Sequence, residues 1–109
     1  SQRFLASINT GMPRISRNRD RCKTGHLCDK SAPVIASQST VFAEGKAILV
    51  RGDRLAPHTI KKGFHCFPHP AKLTGSSKRV FVQGIGVGRR GDKADFGAMT
   101  GAADTVSAG

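Results

Sequence analysis

Tryptophan and tyrosine are absent from this chain of 109 residues, and six phenylalanines are its large aromatic side chains. A hydrophobic core cannot be built around the usual aromatic anchors, and a single domain of this size buries little core in any case. No run is apolar for the roughly 20 residues that a membrane-spanning helix needs. No window has the 3.6-residue periodicity of an amphipathic helix. These absences predict one small domain that is poor in helix.

Acidic residues are also scarce. Seven Asp and Glu residues are outnumbered by eighteen Lys and Arg residues, which gives a formal net charge of +11. A surface of this sign suits nucleic acid, an anionic membrane or an acidic protein, and it is also compatible with no specific ligand. The basic residues are not interleaved with the exposed aromatic residues that a single-strand binder uses as stacking platforms. Charge alone does not choose among these partners.

Cysteine is scarce and odd in number, with three residues in the chain. An odd number argues against a closed disulfide framework. Cysteines interspersed with histidines in loops fit a metal site in a reducing compartment better. A bound metal would also supply folding free energy that a small core lacks.

What the chain does contain is an internal repeat. Residues 37–53 and 76–92 align without a gap and share Val-Phe, a glycine in mid-unit and a closing Arg-Gly-Asp. Residues 14–20 resemble the second half of the same unit and also end in Asp. A repeat of this kind means that one supersecondary unit is used several times.

Each repeat reads as a hairpin whose turn contains Gly45 or Gly84, where glycine can adopt a positive φ. Three similar arms, closed by corners at Asp20, Asp53 and Asp92, predict an all-β fold with pseudo-threefold symmetry. In that arrangement the loops that follow the three Asp residues converge at one end, and the hairpin turns gather at the other.

The converging loops carry the chemistry. The first loop offers His26 with Cys22 and Cys28, and the third, residues 92–97, offers only carboxylates. The second loop holds the remaining candidates, which are His58, His65, Cys66 and His69. This concentration of histidine and cysteine predicts one structural metal ion, with tetrahedral zinc preferred and iron second. Adjacent residues of an extended chain point apart, so at most one of His65 and Cys66 is expected to ligate.

We expect no enzymatic activity. Cys66 with a nearby histidine could form a thiolate–imidazole pair, but nothing in the sequence orients such a pair, and a ligated thiolate is quenched as a nucleophile. The two Arg-Gly-Asp segments lie at repeat corners. They are therefore interpreted as turns, with Gly for the bend and Asp for capping backbone N–H groups, rather than as integrin ligands.

Repeated Val-Phe-x-x-Gly and Gly-Asp elements, with His and Cys in the loops that follow, resemble the PAAR-repeat family. The resemblance runs from about Met12 to Gly109. Its most specific segments are Thr24-Gly25-His26, Gly52-Asp53-x-x-x-Pro57-His58 and Phe67-Pro68-His69-Pro70. It implies a conical cap on a trimeric β-helical spike, with an apical metal bound by three His and one Cys. Carried over by motif, the histidines are His26, His58 and His69.

Two features depart from the family pattern. The Pro-Ala-Ala-Arg segment is lost, and the cysteine of the third loop corresponds to Phe96. The fourth ligand must then be water or come from elsewhere in the chain. Cys66 is the predicted choice because it shares the second loop with two of the histidines, followed by Cys28 and then His65.

Residues 1–13 carry one weak apolar patch and end at Gly11-Met12-Pro13, and we interpret them as an N-terminal arm. Residues 14–109 then form the spike-tip domain that the resemblance implies. It implies one cap for each trimeric β-helical spike protein, and transient contact with the bacterial envelope that the tip punctures. We expect the protein to be part of a virion, on the central spike of a contractile phage tail baseplate. Such a baseplate would be assembled in the host cytoplasm. This expectation follows from the lack of effector extensions in the chain and from its degenerate repeats.

Two alternatives stay open. The first is the spike tip of a type VI secretion system. The second is a small basic zinc module that binds nucleic acid, although the loops lack zinc-knuckle or finger spacing, so no specific nucleic acid is expected.

Overall fold

The computed structural model describes residues 12–109, so nearly all of the predicted N-terminal arm lies outside the described residues. Those residues form no helix, and therefore none long and apolar enough to cross a membrane. The all-β prediction is confirmed. The strands pair in antiparallel hairpins, in the order β1 (Arg21–Lys23) with β2 (Ser31–Pro33), β3 (Phe42–Ala43) with β4 (Lys46–Ala47), β5 (His58–Lys62) with β6 (His65–His69), β7 (Phe81–Val82) with β8 (Ile85–Gly86), and β9 (Lys93–Ala94) with β10 (Gly97–Ala98).

Three extended segments, residues 15–17, 48–50 and 87–89, close into a ring at the middle of the molecule. Each segment forms an antiparallel bridge with both of the others. The central residues form a cycle of main-chain hydrogen bonds, in which Ser16 donates to Gly88 at 2.9 Å, Gly88 to Leu49 at 2.8 Å and Leu49 to Ser16 at 3.0 Å. The pseudo-threefold symmetry predicted from the repeat is therefore present in the backbone.

The three predicted corners share one geometry. The residue before each Asp has a positive φ, which is 69° at Arg19, 94° at Gly52 and 88° at Gly91. Each Asp carboxylate accepts a hydrogen bond from the backbone N–H three residues earlier, at 2.7 to 2.9 Å. The Asp residues of the repeated Arg-Gly-Asp segments therefore cap turns, as the sequence predicts.

Beyond the corners lie three apical hairpins, β1–β2, β5–β6 and β9–β10. They are joined to one another by equivalent bridges, Cys22 with Met99, Val34 with Leu55 and Leu73 with Ala94. Their bases enclose the apical core, which consists of Cys22, Ala32, Val34, Leu49, Leu55, Leu73, Ala94 and Met99. Because all three hairpins share this core, their outer ends are held close together.

The opposite side of the ring has a second core and two basal hairpins, β3–β4 and β7–β8. Successive side chains of a strand point to opposite faces, so Leu49 enters the apical core while Ile48 and Val50 enter the basal one. The third basal element is built from both ends of the described chain. Val106 accepts a backbone hydrogen bond from Ile15 at 2.8 Å. The last, incomplete repeat near the C-terminus is therefore completed by the segment around Ile15, which comes before the first full repeat.

Gly97 fixes the third apical hairpin against the first. A Cβ at this position would overlap the carbonyl oxygen of Lys23. We expect Gly97→Ala to lower the free energy of unfolding by about 3 kcal/mol, because main chain rather than a flexible side chain must move. Thermal denaturation measures the effect. Gly45→Ala is the control, since Gly45 has a φ of 80° and no neighbouring atom within 4 Å. An equal loss in the two variants would contradict the packing argument.

Candidate metal centre

Four side chains from all three apical hairpins meet above the apical core. His26 comes from the loop between β1 and β2, His58 and His69 come from β5 and β6, and Asp95 lies in the turn between β9 and β10. The Nε2 atoms of His26 and His58 lie 2.7 and 2.8 Å from Asp95 Oδ2, and Nε2 of His69 lies 3.1 Å from Oδ1. One potential ligand atom from each residue lies within 4.8 Å of all the others.

Local structure explains how each apical hairpin places its side chains in the cluster. His58 and His69 are register partners in β5–β6, and directly opposed residues of an antiparallel pair have neighbouring side chains on one face. Asp95 has a φ of 56° in a tight turn, a conformation that Asp tolerates better than most residues. The backbone N–H of His26 is bound by Thr24 Oγ1 at 3.1 Å, which fixes the start of the first loop.

The cluster is closed to solvent on most sides. The side chains of His26, His58 and Asp95 are 2 to 3% exposed, and that of His69 is 24% exposed. Burial opposes ionisation of the Asp95 carboxyl, but its close contacts with the ring nitrogens of His69, His58 and His26 outweigh burial and lower the pKa of Asp95. The centre therefore holds a carboxylate surrounded by imidazole nitrogens.

The hydrogen bonding of His58 is compatible with a metal ion between its ring and Asp95. Its Nδ1 lies 3.1 Å from the carbonyl oxygen of Ala56, and a carbonyl can only accept, so Nδ1 carries a proton. In the neutral ring Nε2 is then an acceptor, like the Asp95 oxygen that it approaches. Two acceptors at this distance need a proton or a metal ion between them. A backbone carbonyl on the far nitrogen is also the usual way in which a metal-binding imidazole is oriented.

Three imidazole nitrogens and one carboxylate oxygen match the ligand types and number of a tetrahedral site. Zinc binds these atoms at about 2.0–2.2 Å, so adjacent ligand atoms would lie about 3.3 Å apart. The separations between potential ligand atoms in the cluster range from 2.7 Å to at most 4.8 Å, and this range includes that value. The cluster of His26, His58, His69 and Asp95 could therefore hold a metal ion.

The structure brings together the three predicted histidines but not the predicted fourth residue. The choice of Cys66 is corrected, because its sulfur forms a disulfide with Cys28. Cys66 pairs with Lys61 in β5–β6, on the face opposite to that of His58 and His69. His65, the third alternative, is exposed and lies outside the cluster.

Asp95 takes the fourth place, and sequence reasoning did not select it. Two signals pointed to it. The third loop offers only carboxylates, and Asp95 directly precedes Phe96, the position that corresponds to the family cysteine. A search that allowed oxygen as well as sulfur at the fourth position would have found it.

The Cys28–Cys66 disulfide also corrects the expectation that three cysteines would stay reduced. It joins the first apical hairpin to the second across 38 residues of chain. The Asp29 carboxylate supports the same junction by accepting hydrogen bonds from the Thr59 backbone and hydroxyl at 2.8 and 2.7 Å. The odd cysteine is Cys22, which is buried in the apical core.

Cys22 is expected to be chemically inert in the folded protein. Burial and the nearby Asp95 charge raise the pKa of its thiol to about 11, and the thiolate is the reactive form. Ellman's reagent should therefore detect no thiol in the native protein, one in denaturant, and three after reduction in denaturant. Rapid labelling of one thiol in the native protein would contradict the burial of Cys22, and labelling of more than one would contradict the disulfide.

Fold and site together define a small all-β domain that carries a metal-competent cluster of three histidines and one aspartate. No protein-family model matches the chain, and no curated protein matches its sequence. The resemblance to PAAR-repeat proteins therefore stays a prediction.

Proposed function

We propose that this chain is a structural spike tip, which caps the trimeric β-helical spike of a contractile phage tail. A type VI secretion spike is the alternative host. The ring of three equivalent main-chain hydrogen bonds carries the proposal. A single chain with a threefold backbone can contact all three subunits of a trimer in the same way, which an asymmetric domain of this size cannot do.

The basal end offers a surface suited to that contact. Val41, Phe42, Val80, Phe81 and Ile85 are 37 to 54% exposed there. Phe42 and Phe81 occupy equivalent positions of the two repeats and have equal exposure, 54% each. The blunt end of a β-helix presents unpaired strand edges that must be covered, and a set of exposed apolar side chains commonly marks an interaction surface.

The apical cluster supports the mechanical part of the proposal. Each apical hairpin contributes at least one ligand, so an ion bound there would tie all three outer ends to one point. With four protein ligands no coordination position stays open, which is the arrangement of a structural rather than a catalytic site. Zinc is the preferred ion and iron the second. The protein would act by keeping its tip rigid while the tail drives it through the bacterial envelope, and not as an enzyme.

Binding to the trimeric β-helical spike encoded by the same genome tests the proposal. Light scattering of the purified complex should give one chain for each trimer. Phe42→Asp combined with Phe81→Asp should abolish the complex, because both changes place a carboxylate in the basal contact. Phe64→Ser is the matched control, since this Phe is exposed at the opposite end of the molecule. Binding of three chains per trimer, or unimpaired binding by the double variant, would refute the proposal.

A further inference from the structure

The apical end carries a second set of exposed apolar residues, none of which is a candidate metal ligand. One of them, Phe96, also packs against the rings of His26 and His69. Leu27 is 73% exposed, Phe64 97%, Phe67 45% and Phe96 69%. They come from all three apical hairpins. These four residues form the apical surface. Among the described residues, Phe64 has the highest exposure of the large hydrophobic side chains.

The β5–β6 hairpin carries Phe64 outward from the metal centre. Four residue pairs extend beyond the His58–His69 pair, ending at Lys62 with His65. At about 3.3 Å per residue this places the turn roughly 13 Å beyond the imidazoles. The outer pairs also hold Lys61, so the turn combines a projecting aromatic ring with two flexible cations.

Charge at this end is strongly one-sided. The apical segments, residues 21–33, 54–72 and 93–98, contain eight basic and two acidic residues. Asp29 is exposed and stays charged while it accepts hydrogen bonds from Thr59, and Asp95 lies inside the histidine cluster. The eight basic residues therefore outweigh one exposed carboxylate at this end.

We infer that the apical surface binds the interface of an anionic phospholipid bilayer. Exposed apolar and aromatic side chains bordered by lysines are suited to the boundary between headgroups and acyl chains. There the rings enter the apolar layer and the ammonium groups remain with the phosphates. A folded protein partner would need a matching cavity for each protruding side chain, whereas a bilayer deforms around all of them. The inference depends on this surface alone and holds whether or not the chain caps a spike.

Because the chain lacks tryptophan and tyrosine, Phe64→Trp introduces a single fluorophore at the projecting turn. With vesicles of equal phosphatidylcholine and phosphatidylglycerol, its emission should shift to shorter wavelength and be quenched by brominated acyl chains. Phe81→Trp, at the basal end, is the matched control and should show neither effect. Pure phosphatidylcholine vesicles should bind Phe64→Trp much more weakly. Equal shifts at the two ends, or no shift at either, would overturn the inference.

Two further variants separate the apolar and electrostatic contributions in a vesicle co-sedimentation assay. Phe64→Ser should weaken partitioning about tenfold. Lys61→Gln with Lys62→Gln should weaken it about twentyfold at low ionic strength, and high salt should act on the parent protein in the same direction. Unchanged melting temperatures would show that the variants fold. Binding to lipopolysaccharide alone, or to duplex DNA without binding to phospholipid vesicles, would reject a phospholipid partner.

Discussion

Replacing Asp95 with alanine is expected to abolish stoichiometric metal binding and to lower the melting temperature by about 20 °C. Asp95 lies within 3.1 Å of all three imidazoles and is the contribution of the third apical hairpin to the cluster. An ion present at a thousand times its Kd stabilises the folded state by about 4 kcal/mol, which corresponds to roughly that shift in a domain of this size. The removed carboxylate is also the cluster's charge partner for a cation.

Elemental analysis and thermal denaturation test this expectation on protein purified without chelator. The parent protein should contain about one metal ion per chain, and removal of the ion by chelator should lower its melting temperature toward that of the variant. His65→Ala is the matched control, because this fourth histidine is exposed and outside the cluster. Full metal content in Asp95→Ala, or none in the parent protein, would remove Asp95 from the site.

Cobalt substitution distinguishes an oxygen ligand from a sulfur ligand. With Asp95 as fourth ligand, the cobalt form should lack the near-ultraviolet charge-transfer absorption that a bound thiolate gives. Asp95→Cys should introduce that band while retaining one metal ion per chain, since thiolate is itself a good ligand for zinc and its analogues. A thiolate band in the parent protein would contradict the Cys28–Cys66 disulfide and restore Cys66 as a candidate.

The repeat predicted that the histidine-bearing loops converge, because it fixes where each loop leaves the ring. The choice of His26, His58 and His69 came from the resemblance to PAAR-repeat proteins, and the structure places these three side chains together. Corners at Asp20, Asp53 and Asp92 can be recognised from the repeated sequence pattern. Threefold symmetry then brings the loops that follow them together. What the repeat does not fix is the register inside a loop. A shift of one residue in β5–β6 would exchange the faces of His69 and Cys66, so the sequence alone could not say which of them points to the centre.

Asp95 was missed for a different reason. Carboxylates are common on protein surfaces, so the presence of Asp92 and Asp95 in the third loop does not by itself single out a metal ligand. The position of Asp95 depends on the bridge between Leu73 and Ala94, which packs the third hairpin against the second, and on the close approach of Gly97 to Lys23. Both are contacts between segments far apart in sequence.

Removal of the Cys28–Cys66 disulfide is the second change with a large expected effect. Replacing both cysteines with serine should lower the free energy of unfolding by about 4 kcal/mol, the chain-entropy estimate for a loop of this length. Metal affinity should fall as well, because the first hairpin, which carries His26, would no longer be cross-linked to the second, which carries His58 and His69. Denaturant unfolding and competition with a chromogenic chelator measure the two effects. Cys22→Ala is the control, since it leaves the disulfide intact.

Reduction of the parent protein distinguishes a Cys28–Cys66 disulfide from a Cys66 thiolate that binds the metal, because the two assignments predict opposite changes in metal affinity. If the sulfurs are bonded to each other, reduction of the parent protein loosens the site, so affinity decreases and approaches that of the double serine variant. If Cys66 were instead a ligand, oxidation would have blocked it, and reduction would increase affinity through the freed thiolate. The single variant Cys66→Ser extends the test. Under the disulfide assignment it should match the double variant, because one missing sulfur already breaks the cross-link, and reductant should then have no further effect on affinity.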